Sequence, residues 1–270
     1  MDSTENKLQH LKNILTNLKE VVVAYSGGVD SAFLLKVAYD TLGENARAVL
    51  AISPTYPSRE FEKAKEVAAS IGARLTIIES NEMENEEFRQ NPVNRCYFCK
   101  SELFERIGEL AASQKYTNMV DGSNFDDLGD HRPGMKALKE KGVLSPLQQA
   151  GLTKAEIREL SKQFGLSTWD KDALACLSSR FPYGETIDMK KLKMVDELEN
   201  YLFDLGFRNI RARHQNTTLK IEVSPAYIRR FFEDDTRQKV LAKAKAIGYK
   251  YVTIDLEGYR QGSLNEVLSN

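Results

Sequence analysis

Cysteine, histidine and tryptophan are scarce in this 270-residue chain, with three, three and one copies. An odd, small cysteine count excludes a disulfide-stapled scaffold. None of His10, His131 and His214 stands at ligand spacing to a cysteine, so a four-ligand zinc site has no evident donor set. A surplus of either charge is also missing. The 38 basic residues face 39 acidic ones. The broad basic field that non-specific nucleic-acid binding needs is therefore absent, although a local patch is not excluded. No apolar run reaches transmembrane length, and the N-terminal residues lack the apolar stretch of a signal peptide. A cytoplasmic protein with neither a membrane nor a nucleic-acid partner is expected. Repeats and low-complexity tracts are missing as well.

What is present is a chain with 41% hydrophobic residues, enough to bury a core in one large domain or two smaller ones. Its most informative segment runs from Glu20 to Lys36. A β-branched run enters Ser26-Gly27-Gly28-Val29-Asp30-Ser31 and continues into an amphipathic helix. Adjacent glycines permit positive φ and close approach of an anion. The exposed N–H groups and the helix dipole favour phosphate. Asp30 suits an anion site only if it caps the helix or meets a magnesium ion. The segment is neither a Walker loop nor a dinucleotide fingerprint, because it lacks Gly-Lys-Ser/Thr and its glycines are adjacent. It resembles the pyrophosphate loop of the N-type ATP pyrophosphatases, which cleave ATP between the α- and β-phosphates to adenylate a substrate.

Helical spacing is expected over 3–19, 31–42 and 59–71, with strands at 46–52, 74–78 and 118–121. Thr153 to Glu156 reads as a capping box opening a helix that reaches Phe164. Alternating strands and helices predict a doubly wound parallel sheet whose ligands bind at the carboxyl ends of the strands. Ser26, Ser53 and Asp121 stand at such ends. The turn-rich stretch 169–186 holds the expected boundary, separating a domain over 1–180 from a smaller α+β domain over 186–270. The second domain should contain a helix at 189–205, strands at 209–214, 219–223 and 251–256, and helices within 226–247. Trp169 is expected in the core.

Cys96 and Cys99 form a C-x-x-C, and Cys176 follows far along the chain. The three suit a [4Fe–4S] cluster with one iron lacking a protein ligand, a set of reactive thiols, or inert buried side chains. Arg180, beside Ser179, carries a fork suited to a carboxylate or phosphate; an interdomain salt bridge is the alternative. Arg211 and Arg213 alternate on one expected strand and share a face. That face fits an anion or plain solvent.

Taken together, the loop, Asp121-Gly122-Ser123-Asn124, Arg132-Pro133-Gly134 and Cys176-x-Ser178-Ser179-Arg180-Phe181-Pro182-Tyr183-Gly184 resemble the LarE sulfur transferases over essentially the whole chain. The resemblance implies adenylation of a carboxylate of a pyridinium biscarboxylate mononucleotide and its conversion to a thiocarboxylate, for the nickel-pincer cofactor of lactate racemase. It implies a PP-loop ATP pyrophosphatase fold, with ATP and Mg2+ held by Ser26, Gly27, Gly28, Asp30 and Ser31. Ala24 and Ser53 would flank the adenine and ribose. Gly122 and Asp126 would line the same crevice, and Ser179 and Arg180 would meet the substrate. Arg211, Arg213 and Glu199 would surround its phosphate. A further family acid is replaced here by Arg230, which puts a metal site in the second domain in doubt. One version of the family sacrifices a single cysteine as its sulfur source. The extra Cys96/Cys99 pair and the altered spacing after Cys176 favour the cluster-bearing version, with Cys96, Cys99 and Cys176 as ligands and an external sulfide source. The small-molecule partner is the pyridinium nucleotide, and a homo-oligomer is expected.

Overall fold

The computed structural model describes residues 3–129, 133–172 and 175–268. The chain divides into two compact units. The first holds 1–53, 59–88 and 94–174. The second holds 54–58, 89–93 and 175–270. Cys176 to Arg180 thus cluster with the second unit, although the sequence boundary left them in the first. Among the described residues no helix is long and apolar enough to cross a membrane.

In the first unit, helix α1 (Thr4–Leu18) precedes β1 (Val21–Ala24), α2 (Val29–Leu42), β2 (Ala46–Ile52), α3 (Ser58–Ile71) and β3 (Arg74–Glu79). A single-turn α4 (Glu86–Arg89) and the long α5 (Arg95–Ser113) lead to β4 (Met119–Val120). Three further helices, α6 (Pro133–Glu140), α7 (Pro146–Gln149) and α8 (Lys154–Gln163), follow. The strands form a parallel sheet in the order β3-β2-β1-β4. Chain order reverses between β1 and β4, so the crevice for a ligand opens at the end of β1. This is the doubly wound parallel sheet that the alternation of elements predicted.

Burial explains why the elements settle there. On one face Val22 and Val49 pack against Phe104, Ile107 and Ala111 of α5 and Leu138 of α6. Those three α5 residues recur at helical spacing, yet the helix was not anticipated, because its first turn is polar and carries the C-x-x-C. Helix α2 is buried nearly all round, including Phe33, Leu34, Leu35 and Val37. Phe33 stacks on Phe164 just beyond α8, with centroids 5.9 Å apart. Trp169, expected in the core, is 38% exposed and receives the Lys162 ammonium over its ring.

The second unit contains α9 (Met189–Asp204), β5 (Arg211–Gln215), β6 (Thr218–Glu222), α10 (Pro225–Ile228), α11 (Asp234–Ile247) and β7 (Tyr251–Ile254). Strands β5 and β6 form an antiparallel hairpin closed through Asn216 at φ +52°, and β7 adds in parallel to β6. Helix α9 buries Leu192, Val195, Leu198 and Leu202. Asp188 caps its start by accepting from the Lys191 N–H at 2.8 Å. Arg230 closes its far end, donating to the Leu205 carbonyl at 2.8 Å.

Candidate active site

The loop after β1 is shaped by one glycine and two serines. Gly27 has φ +71°, and Gly28 is the N-cap of α2 with no side chain to occupy the cap. The Ser31 hydroxyl accepts from the Ser26 N–H at 3.2 Å and lies 3.1 Å from the Ser26 hydroxyl. The Ser26 hydroxyl also accepts from the Gly28 N–H at 3.4 Å. The result is a nest of N–H and O–H donors at the start of a buried helix, which is the chemistry an anion takes.

Gly122, just beyond β4, closes the other wall. A Cβ there would lie 2.9 Å from the Ser31 nitrogen, so only glycine lets this turn touch the first turn of α2. Behind it Asp121 is buried and accepts from the Ser123 and Ser145 hydroxyls, both at 2.6 Å. Ala24 ends β1, half-buried. Ser53 follows β2 and donates to the buried Glu82 carboxylate at 2.5 Å. That carboxylate also accepts from Ser80 at 2.6 Å.

Asp30 sits in the first turn of α2, ion-paired with Lys154 and accepting from the Asn124 amide at 3.4 Å. One loop carboxylate beside hydroxyls and a phosphate site is the donor set Mg2+ takes, since this ion binds through one or two carboxylates plus substrate phosphates. Asp126 instead anchors α8, accepting from the Lys154 N–H at 2.8 Å. The place of Lys154 beside Asp30 was not anticipated. Lys154 hid inside the capping box, whose pattern describes only a helix start. His131 and Arg132 lie outside the described residues.

The second unit holds a different construction. A 3-10 turn, Leu177–Arg180, begins directly after the exposed Cys176. The Arg180 fork is taken by Glu199, with Nε and Nη2 donating to its two oxygens at 2.8 and 2.7 Å. Nη1 reaches the carbonyl of Cys176 at 3.0 Å and the Ser179 hydroxyl at 2.9 Å. Arg180 is 2% exposed. Arg180 thus pairs with Glu199 inside the second unit rather than between domains, and it braces the turn that carries the thiol. Arg213 adds a second brace, donating to the Ser179 carbonyl at 2.6 Å while pairing with the buried Glu222 at 2.7 Å. Arg211 lies over the Tyr259 ring at 4.7 Å.

Burial alone would raise the Glu199 carboxyl. The Arg180 charge and hydrogen bonds, with help from Arg211 and the Ala212 N–H, hold it below the usual range. Burial and the neighbouring Arg180 charge lower Arg211. Three guanidiniums share two carboxylates here, and Lys220 and Asp255 balance each other nearby.

Cys96 and Cys99 occupy the first turn of α5, one exposed and one half-buried. Inert buried cysteines are thereby excluded. Among the described residues, no group of three histidine, cysteine, aspartate or glutamate side chains is close enough to hold a metal. Tyr97 donates to Glu140 at 2.8 Å and meets Phe98 edge-on. Arg230, in place of the family acid, is spent on the end of α9.

A loop of this kind at the switch point of a parallel sheet defines an ATP pyrophosphatase of the PP-loop class. The NAD synthase family model matches residues 4–114. An uncharacterised Synechocystis protein is 45% identical over 98% of this chain and 99% of its own. The pyridinium-3,5-bisthiocarboxylic acid mononucleotide synthase of Lactiplantibacillus plantarum is 36% identical over the whole chain and 97% of its own. A glutamine-hydrolysing GMP synthase chain of Archaeoglobus fulgidus is 26% identical over 60% of this chain and 56% of its own. The chain belongs to the LarE family of ATP-dependent sulfur transferases.

Proposed function

We propose that the protein adenylates a carboxylate of a pyridinium biscarboxylate mononucleotide with ATP and replaces one carboxylate oxygen by sulfur, as a step toward a nickel-pincer cofactor of the lactate racemase kind. The observation that carries this reading is full-length kinship with the Lactiplantibacillus plantarum synthase, joined to an intact loop at the switch point. Ser26, Gly27, Gly28 and Ser31 receive the phosphates, with Ala24 and Ser53 beside the adenosine. Asp30 would hold Mg2+, which offsets phosphate charge when bound. The loop donors are fixed before the nucleotide arrives, so they stabilise charge as it develops without reorganising. Arg211 and Arg213 take the substrate phosphate. Arg180 and Glu199 hold Ser179 and Cys176 in place.

For the sulfur source the reading is a [4Fe–4S] cluster on Cys96, Cys99 and Cys176, which supplies sulfide from its open iron. The count of three thiolates supports it. The exposed position of Cys176, alone at the head of a braced turn, favours a second reading in which its own sulfur is given up. Anaerobic purification separates the two. About four irons and matching acid-labile sulfide per chain, with repeated turnover to thiocarboxylate, support the cluster. Iron-free protein that reacts once, with its intact mass lowered by one sulfur and two hydrogens at Cys176, supports sacrifice. Failure to release AMP and pyrophosphate with the pyridinium substrate rejects both.

A further inference from the structure

After β7 the chain runs on past the end of β6, still within the second unit. The Asp255 N–H donates to the Ile221 carbonyl at 2.9 Å, and the Tyr259 N–H donates to the Val223 carbonyl at 2.8 Å. Between them Gly258 is buried at φ +74°. A Cβ there would lie 2.6 Å from the Val223 oxygen, so only glycine lets the segment press against the end of β6. The pinned segment delivers two half-buried side chains to the arginine pair of β5. Arg211 lies over the Tyr259 ring at 4.7 Å, and its Nη2 donates to the Tyr259 hydroxyl at 3.4 Å. The Ser263 hydroxyl accepts from Arg213 Nη2 at 2.9 Å and donates to Glu222 at 3.4 Å.

These contacts differ in kind from the carboxylate pairs beside them. A ring face draws a guanidinium through its quadrupole, and a hydroxyl oxygen accepts from one, without cancelling the positive charge. Each contact restricts a long, flexible side chain and leaves its charge in place. Burial and the adjacent Arg180 charge disfavour the Arg211 cation. A phosphate brought against it offsets that penalty, and a guanidinium already held in one orientation offers its donors at once. The same segment reaches the neighbourhood of the thiol turn. Arg213 spans from Ser263 to the Ser179 carbonyl at 2.6 Å, and the Tyr183 hydroxyl donates to Asn265 at 2.8 Å.

We propose that Tyr259 and Ser263 are positioning residues for the substrate phosphate, holding Arg211 and Arg213 in the orientation that receives it. This rests on the reading that those arginines take the phosphate of the pyridinium nucleotide. Tyr259 acts through its ring face, and Ser263 acts through a single hydrogen bond.

The test is calorimetric titration of the full-length chain with nicotinic acid mononucleotide, a carboxylated pyridinium nucleotide, and separately with its riboside, which lacks the phosphate. The wild type should bind the nucleotide more tightly than the riboside. Tyr259→Ala should reduce that preference about tenfold, the scale of a desolvated cation–ring contact. Ser263→Ala should reduce it about threefold, the scale of one hydrogen bond. Tyr259→Phe keeps the ring and should retain most of the preference. A phenylalanine variant as weak as the alanine variant overturns the role of the ring face. Thermal melting and riboside affinity report that the variants fold. A parallel loss of both ligands in Tyr259→Ala makes its role merely structural and overturns the proposal. An unchanged preference in both alanine variants also overturns it, while the phosphate reading stands. A wild type that binds the two ligands equally, or binds neither, rejects the phosphate reading and this proposal with it.

Discussion

The two units assemble their polar groups by opposite means. The loop of the first unit uses backbone N–H groups and serine hydroxyls, shaped by Gly27 and Gly122, with its charged partners still open to solvent. The second unit uses guanidiniums that are almost entirely buried and locked to carboxylates. A neutral nest costs little to leave empty, since water satisfies its donors. A buried charge network has no such freedom, because each ion depends on its partner. The first arrangement suits a ligand that enters and leaves in pieces. The second suits a rigid frame that fixes the turn carrying Cys176.

The sharpest way to break this contrast is to remove one buried ion. Glu199 is engaged by Arg180 through two hydrogen bonds and by the Ala212 N–H at 2.8 Å. Glu199→Ala should therefore destabilise the protein by about 3–5 kcal/mol, the range for an uncompensated buried charge. Urea unfolding measures it. A loss of less than about 1 kcal/mol would put the network on a par with surface pairs and remove the distinction.

The corresponding change in the first unit is Gly122→Ala. The added Cβ would sit 2.9 Å from the Ser31 nitrogen and 3.1 Å from its Cα, so the turn after β4 must move away from α2. Overpacking of this kind costs about 1–3 kcal/mol. The larger consequence should be functional, with nucleotide affinity falling further than stability while the Cys176 turn is untouched. Calorimetry with AMP beside thermal melting checks it. Unchanged AMP affinity would mean that this wall does not shape the nucleotide site.

The same contrast decides what could be read from the residues alone. Ser26 to Ser31 was readable because the glycines and serine contacts that form its turn lie within six consecutive positions after a strand. The parallel sheet followed from alternating periodicities, which are also local. The role of Arg180 was not readable. Its fork fits any carboxylate, and Glu199 lies 19 positions away on a helix whose charges look like a solvated face. Helix α5 was missed for a related reason: its apolar stripe of Phe104, Ile107 and Ala111 declares itself only once the sheet face beneath is known. Lys171 reaches Gly27 across 144 positions, beyond the reach of any pattern. Contacts set by topology are the ones sequence spacing cannot report.

The smallest effect expected tests the solvent-open character of the first unit. Glu156 closes the capping box of α8 and receives the Lys7 ammonium at 2.8 Å, tying α8 to α1. Burial would raise its carboxyl, but the Lys7 hydrogen bond and the Thr153 N–H and hydroxyl lower it from 4.5 to about 2. A depressed carboxyl stabilises the fold fully above its unfolded value of 4.5, and the contribution fades as pH falls toward about 2. Because the pair is only partly buried, solvent screening should keep the effect to about 1 kcal/mol or less. Unfolding of the wild type and of Glu156→Gln should thus differ slightly at pH 7 and converge on acidification through that window. Raising the salt concentration should narrow the difference at pH 7 as well. A gap that survives both acid and salt would mean the pair is shielded from water, and the first unit would then hold a buried charge pair of the kind that distinguishes the second.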